Sequence, residues 1–114
     1  MKFMLQVRFH GADKAIGELT TEEQEKVTAE FQEIRRSPGV LDGNRLQAAD
    51  TAVTVRVEDG RSHVGDGPAV LAGSELDGYY LYDAADRDAA VAFAARIPAA
   101  RYGGTVEVRP VFER

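Results

Sequence analysis

The sequence predicts an α+β fold in which two helices cover one face of an antiparallel sheet. Three observations predict it. Apolar residues alternate with polar ones near both ends and in the middle of the chain, two stretches of helical periodicity lie between them, and Asp59-Gly60 supplies tight-hairpin chemistry.

Phe3, Leu5, Val7 and Phe9 alternate with Met4, Gln6, Arg8 and His10, which marks a first strand with one apolar face, ended by Gly11. Thr20-x-x-Glu23 is a capping box. The helix it starts carries Val27, Phe31 and Ile34 at helical spacing, with Arg35 and Arg36 in its last turn before Ser37-Pro38-Gly39 stops it. Residues 40–47 are a weaker extended segment. Residues 51–58 form a clearer strand, with Val53, Val55 and Val57 on one face, and Asp59-Gly60 turns it into an antiparallel partner over 61–64. Residues 78–82 read as another strand after the loop holding Asp66-Gly67-Pro68. Asp86 caps a second helix whose Ala90, Phe93, Ala94 and Ile97 share a face, and Pro98 makes Ile97 its last residue. Thr105 to about Phe112 closes the chain. Strand, helix, strands, strand, helix, strand is a ferredoxin-like plan.

A length of 114 residues with 44% hydrophobic content fits one domain over 1–114. Such a domain buries only about two-thirds of its unfolded surface, so dimerisation is a natural way of covering more. The absence of cysteine excludes disulfides, thiolate metal sites and cysteine nucleophiles, and fits a cytoplasmic protein. Gln6, Arg8 and His10 interrupt any signal-peptide core, and no stretch approaches the roughly 20 apolar residues of a membrane span. With 19 acidic residues against 14 basic ones, the net charge of −5 argues against nucleic acid as a partner. The two histidines and scattered acids have no metal-ligand spacing, so no metal or other cofactor is expected.

If one side of every strand packs the helices, the other displays Gln6, Arg8 and His10, then Thr54, Arg56 and Glu58, then Tyr80 and Tyr82, then Glu107 and Arg109. Three readings fit this polar face. It is a wetted sheet surface, or it meets a second copy across a homodimer, or it encloses a small polar or aromatic ligand whose negative charge Arg8, Arg56 or Arg109 would meet.

The closing stretch R-I-P-A-A-R-Y-G-G-T-V-E-V-R-P (96–110), together with Asp66-Gly67-Pro68, Leu76-Asp77-Gly78-Tyr79-Tyr80 and the opening M-K-F-M-L, resembles the YCII-related or DGPF-domain family along essentially the whole chain. The resemblance implies a dimeric α+β barrel, two ferredoxin-like sheets packed face to face. The name-giving tetrapeptide ends here in Ala69 rather than Phe. A dehydrochlorinase branch of the wider superfamily pairs a helix-borne His with an Asp before a proline. Here Ile97 precedes Pro98 and the helix over 21–36 holds no histidine, so that dyad does not carry over.

Asp66 is the first catalytic candidate, a carboxylate at a loop mouth, although turn chemistry alone also explains Asp-Gly-Pro. His63, three residues earlier, and His10 are candidate proton-transfer groups, and an exposed strand histidine is the plainer account of each. Arg101 is a candidate anion ligand or a surface cation, and the glycines after it allow a positive φ or a close chain approach. Glu107 and Arg109 point to one face, as do Tyr80 and Tyr82. The leading expectation is a homodimeric small-ligand-binding or accessory module. The alternatives are a cofactor-independent lyase or isomerase shuttling a proton through Asp66, His63 or His10, and a regulatory partner of an extracytoplasmic-function sigma factor, beside which family members are often encoded.

Overall fold

The computed structural model describes residues 1–71 and 73–113. It is an α+β structure with β1 (Lys2–Arg8), α1 (Ala12–Gly17), α2 (Thr21–Arg36), β2 (Val40–Arg45), β3 (Val53–Glu58), β4 (Arg61–Asp66), β5 (Gly78–Asp83), α3 (Arg87–Ala94) and β6 (Thr105–Pro110). Four strands form one antiparallel sheet in the order β2-β5-β1-β6. The hairpin β3–β4 is a separate two-stranded sheet. This corrects the expectation of a single polar sheet face, because Thr54, Arg56 and Glu58 are not on the large sheet at all. Among the described residues, no helix is long and apolar enough to cross a membrane.

The capping box forms as its spacing predicts. Thr20 Oγ1 accepts from the Glu23 amide at 3.1 Å, and the Glu23 carboxylate accepts from the Thr20 amide at 3.3 Å. The Thr20 hydroxyl also donates to that carboxylate at 2.8 Å, and these bonds hold Glu23 below the usual carboxylate range. Asp86 Oδ1 likewise accepts from the Ala89 amide at 2.8 Å and starts α3. One sheet face is sealed by α2 and α3, with Phe3, Leu5, Ile34, Phe93 and Ile97 in one buried cluster. Each such side chain contributes about 1.5–3 kcal/mol relative to exposure. Ile97, at the position where the dehydrochlorinase pattern would need an aspartate, is completely buried in that apolar cluster.

The first strand ends sooner than its alternation predicts. The Phe9 amide leaves the ladder and donates to Asp77 Oδ2 at 2.7 Å, while the Asp77 amide donates to the Val7 carbonyl at 2.9 Å. His10 then adopts a left-handed φ of 52°, and the chain turns into α1, a short helix that the sequence pattern does not announce. Its apolar periodicity covers less than two turns, too little to register. At the other crossing both expectations for the glycine pair hold. Gly103 has φ 96°, and a Cβ on Gly104 would lie 2.5 Å from the Arg8 carbonyl and 2.8 Å from that of Ala99.

Register decides the faces. Phe3 pairs with Tyr82 and Leu5 with Tyr80, and directly paired residues share a face, so both tyrosines lie on the helix side. Tyr82 stacks on Phe93 of α3, with ring centroids 4.0 Å apart and planes 10° apart. The sequence reading placed both tyrosines on the polar face. Residues 79–82 are Tyr-Tyr-Leu-Tyr, so hydropathy gave no parity, and pairing with β1 settles it.

Candidate functional site

The open face of the four-stranded sheet carries Met4, Gln6 and Arg8 from β1, with Arg109, Glu107 and Thr105 opposite them on β6. Tyr79 and Leu81 lie across from Gln6 and Met4 on β5. Tyr79, not Tyr80, is therefore the tyrosine of this face. Asn44 Nδ2 donates to its hydroxyl at 2.9 Å, and that hydroxyl donates to Asp42 Oδ2 at 3.1 Å. Arg8 Nε donates to the Ser74 carbonyl at 3.2 Å, and His10 Nε2 lies 3.1 Å from Thr105 Oγ1 at the same end of the sheet. Glu107 and Arg109 are exposed on the edge strand.

The hairpin separates the remaining catalytic candidates. Arg56 pairs with His63, whereas Asp66 pairs with Val53. Alternation sends the His63 and Asp66 side chains to opposite faces, although both residues border a shallow hollow with Thr54, Arg56 and Pro68. Among the described residues no hydrogen bond joins Asp66 to either histidine. Asp66 is the last residue of β4, and the turn after it is fixed by Gly67, whose amide donates to the Ala52 carbonyl at 2.8 Å and whose carbonyl accepts from Thr54 Oγ1 at 2.7 Å.

Arg101 has a partner already. Its Nη2 reaches Glu30 Oε1 at 2.8 Å and Oε2 at 2.7 Å, and its guanidinium carbon lies 5.3 Å from the Tyr102 ring centroid. The hydrogen bonds to Glu30 raise its pKa above the ordinary arginine range. This arginine ties the segment after α3 to α2 through a partly exposed ion pair.

A more enclosed arrangement lies on the helix side, where α2 leans over the β2–β5 edge. There a cleft of about 300 Å³ is walled by Phe9, Phe31 and Tyr80, with Arg35, Arg45 and Asp77 also in its lining. The local sequence accounts for each wall. Phe9 continues the apolar face of β1 and meets Phe31 of α2 edge-on, with centroids 6.5 Å apart and planes at 86°. Tyr80 fits because its β2 neighbour is Gly43, where a side chain would collide with the ring. Burial raises the pKa of the Tyr80 hydroxyl, and the Arg35 charge opposes that rise, so the phenol is a neutral donor at physiological pH.

The two guanidiniums are anchored differently. Arg35 Nη1 donates to the Gly43 carbonyl, which fixes it at the cleft wall. Arg45 lies 5.1 Å from the Phe9 ring centroid and 3.7 Å from Asp13 Oδ1. That ion pair is largely exposed and worth at most about 1 kcal/mol, so an incoming anion can compete for Arg45. Asp77 is occupied as acceptor for the Phe9 amide. Aromatic walls with two cations in the same lining suit a small aromatic anion. Sequence reasoning missed Arg35, Arg45, Phe9 and Phe31 as site residues. They come from α2, β2 and the residue just past β1, and Arg35 has the ordinary look of a cation in a helix's last turn. Among the described residues no three histidine, cysteine, aspartate or glutamate side chains gather as a metal-ligand set.

An antiparallel four-stranded sheet under two main helices, with an inserted hairpin and a helix-side cleft, defines the class as a small α+β domain. The match to the YCII-related domain model covers residues 1–114, and the chain belongs to that family. No curated protein matches it.

Proposed function

We propose that this chain, a single cytoplasmic domain over 1–114, works as a homodimeric binding module. Its ligand is a small aromatic anion held in the cleft between α2 and the β2–β5 edge. The observation that carries the reading is the presence of both Arg35 and Arg45 in the lining of a pocket walled by Phe9, Phe31 and Tyr80. At about 300 Å³ the cleft stands at the small end of ligand pockets and suits one substituted ring. The arginines meet the anionic group, the rings take the apolar body, and the neutral Tyr80 hydroxyl donates a hydrogen bond.

The homodimer rests on the strand order. With the hairpin set aside, β2-β5-β1-β6 supports a ferredoxin-like plan with one sheet face left open. Met4, Tyr79 and Leu81 sit half-buried at the middle of that face, which supports pairing of two sheets as in a dimeric α+β barrel.

Calorimetry with benzoate and with benzyl alcohol tests the ligand class. Benzoate is expected to bind at least about 10-fold more tightly, since hydrogen bonds to charged groups contribute about 1.5–3 kcal/mol. Arg35→Ala and Arg45→Ala should each remove most of that preference. Equal affinity for the two compounds, or a benzoate preference that both variants retain, contradicts the reading.

A further inference from the structure

The hairpin β3–β4 is amphipathic, yet among the described residues nothing covers its apolar side. Val53, Val55, Val57 and Val64 share one face by register, with Ser62 and Asp66 beside Val57 and Val53 at its two ends, and the four valines are 57%, 60%, 66% and 67% exposed. The opposite face carries Thr54, Arg56, Glu58, Arg61 and His63. Every residue of β4 is exposed, and neither hairpin strand packs substantially on another strand or helix. An isolated two-stranded hairpin is marginal in water. The tight turn closes well, with positive φ at both Asp59 (49°) and Gly60 (74°), so the hairpin is built to persist. It also stands away from the body. The radius of gyration is 16.1 Å, against about 13 Å for a compact chain of this length.

We propose that β3–β4 is an arm that lays its valine face on a second copy of the chain. The inference rests on the homodimer reading above and adds a second contact to it. Interface size selects the occupant. Four strands about 4.8 Å apart, each of about six residues rising about 3.4 Å, give the open sheet face a footprint of roughly 400 Å². That is about half of the roughly 800 Å² per partner that a stable interface buries. Each hairpin face adds roughly 200 Å² by the same geometry. In a two-fold dimer each copy contributes its own arm face and the surface under its partner's arm, which brings the sum to about 800 Å². The arms supply the half that the sheets lack.

Val55→Lys combined with Val64→Lys puts two charges on the arm face while leaving the four-stranded sheet untouched. Sedimentation equilibrium is expected to show the dimer dissociation constant raised at least 100-fold, with the wild-type far-ultraviolet circular dichroism retained. A dissociation constant within 3-fold of wild type overturns the proposal. Isotope-filtered NMR on a mixed-label wild-type sample is the independent measurement, unaffected by any folding defect in the variant. Intermolecular contacts from the Val55 and Val64 methyls are expected. A dimer whose valine methyls touch only their own chain, or no chain, overturns the arm and leaves the dimer standing. A wild-type monomer overturns both.

Discussion

Gly43 lies directly beneath the Tyr80 ring: a Cβ on Gly43 would stand 2.5 Å from Tyr80 Cδ1 and 3.3 Å from the Tyr79 carbonyl oxygen. The two residues are paired across β2 and β5, so the ring of one covers the bare backbone of the other. This contact brings the Tyr80 ring close to the edge strand at the residue whose carbonyl Arg35 also reaches, and all three residues line the cleft. Gly43→Ala is therefore expected to lift the ring, destabilise the protein by about 1–3 kcal/mol as overpacking does, and weaken benzoate binding. Urea unfolding and calorimetry on the variant check the two effects. Unchanged stability would show that Tyr80 does not rest on Gly43.

Burial raises the Tyr80 pKa above its ordinary value, which fixes the sign of a pH effect. Above about pH 10 the unfolded phenol loses its proton first, so the folded state binds more protons and stability falls as pH rises. Below that point this contribution is fully present. The difference in stability between wild type and Tyr80→Phe should be flat from neutral pH to about 10 and then turn against the wild type. Alkaline urea titrations of both proteins measure it. A difference that stays flat to high pH would mean that Tyr80 is not buried in the cleft.

Arg101 and Glu30 form the shortest ion pair among the described residues, at 2.7 Å. Both side chains are about 40% exposed, 41% and 39%, so solvent screens the pair. A double-mutant cycle with Arg101→Ala and Glu30→Ala should give a coupling of about 0.2–1 kcal/mol. Benzoate affinity should not change in either variant. A loss of binding in Arg101→Ala with stability intact would make Arg101 a ligand residue.

Much of the fold is legible in the sequence, because its signals are local. The Thr20–Glu23 box, the Asp86 cap, the Asp59-Gly60 turn and the Gly103-Gly104 crossing each act within a few residues, and each appears in the structure. What fails is what depends on distant partners. Tyr80 and Tyr82 take the helix face because β5 is registered by Phe3 and Leu5 of β1, some 75 residues away in sequence. Arg56 leaves the main sheet because, among the described residues, β3 pairs with β4 alone. Asp66 and His63 lie three residues apart, a spacing that alternation turns into opposite faces once β4 extends to Asp66. The cleft is the extreme case, since Phe9, Phe31, Arg35, Arg45 and Tyr80 meet only after β1, α2, β2 and β5 have assembled.

The most direct test of the cleft as the ligand site is a benzoate titration of the uniformly labelled protein followed by NMR. Saturable shifts centred on Phe31, Arg35, Gly43 and Tyr80, with the hairpin over 53–66 undisturbed, are the predicted result. Shifts centred instead on His63, Asp66 and the hairpin, or no saturable shift at any residue, would contradict it.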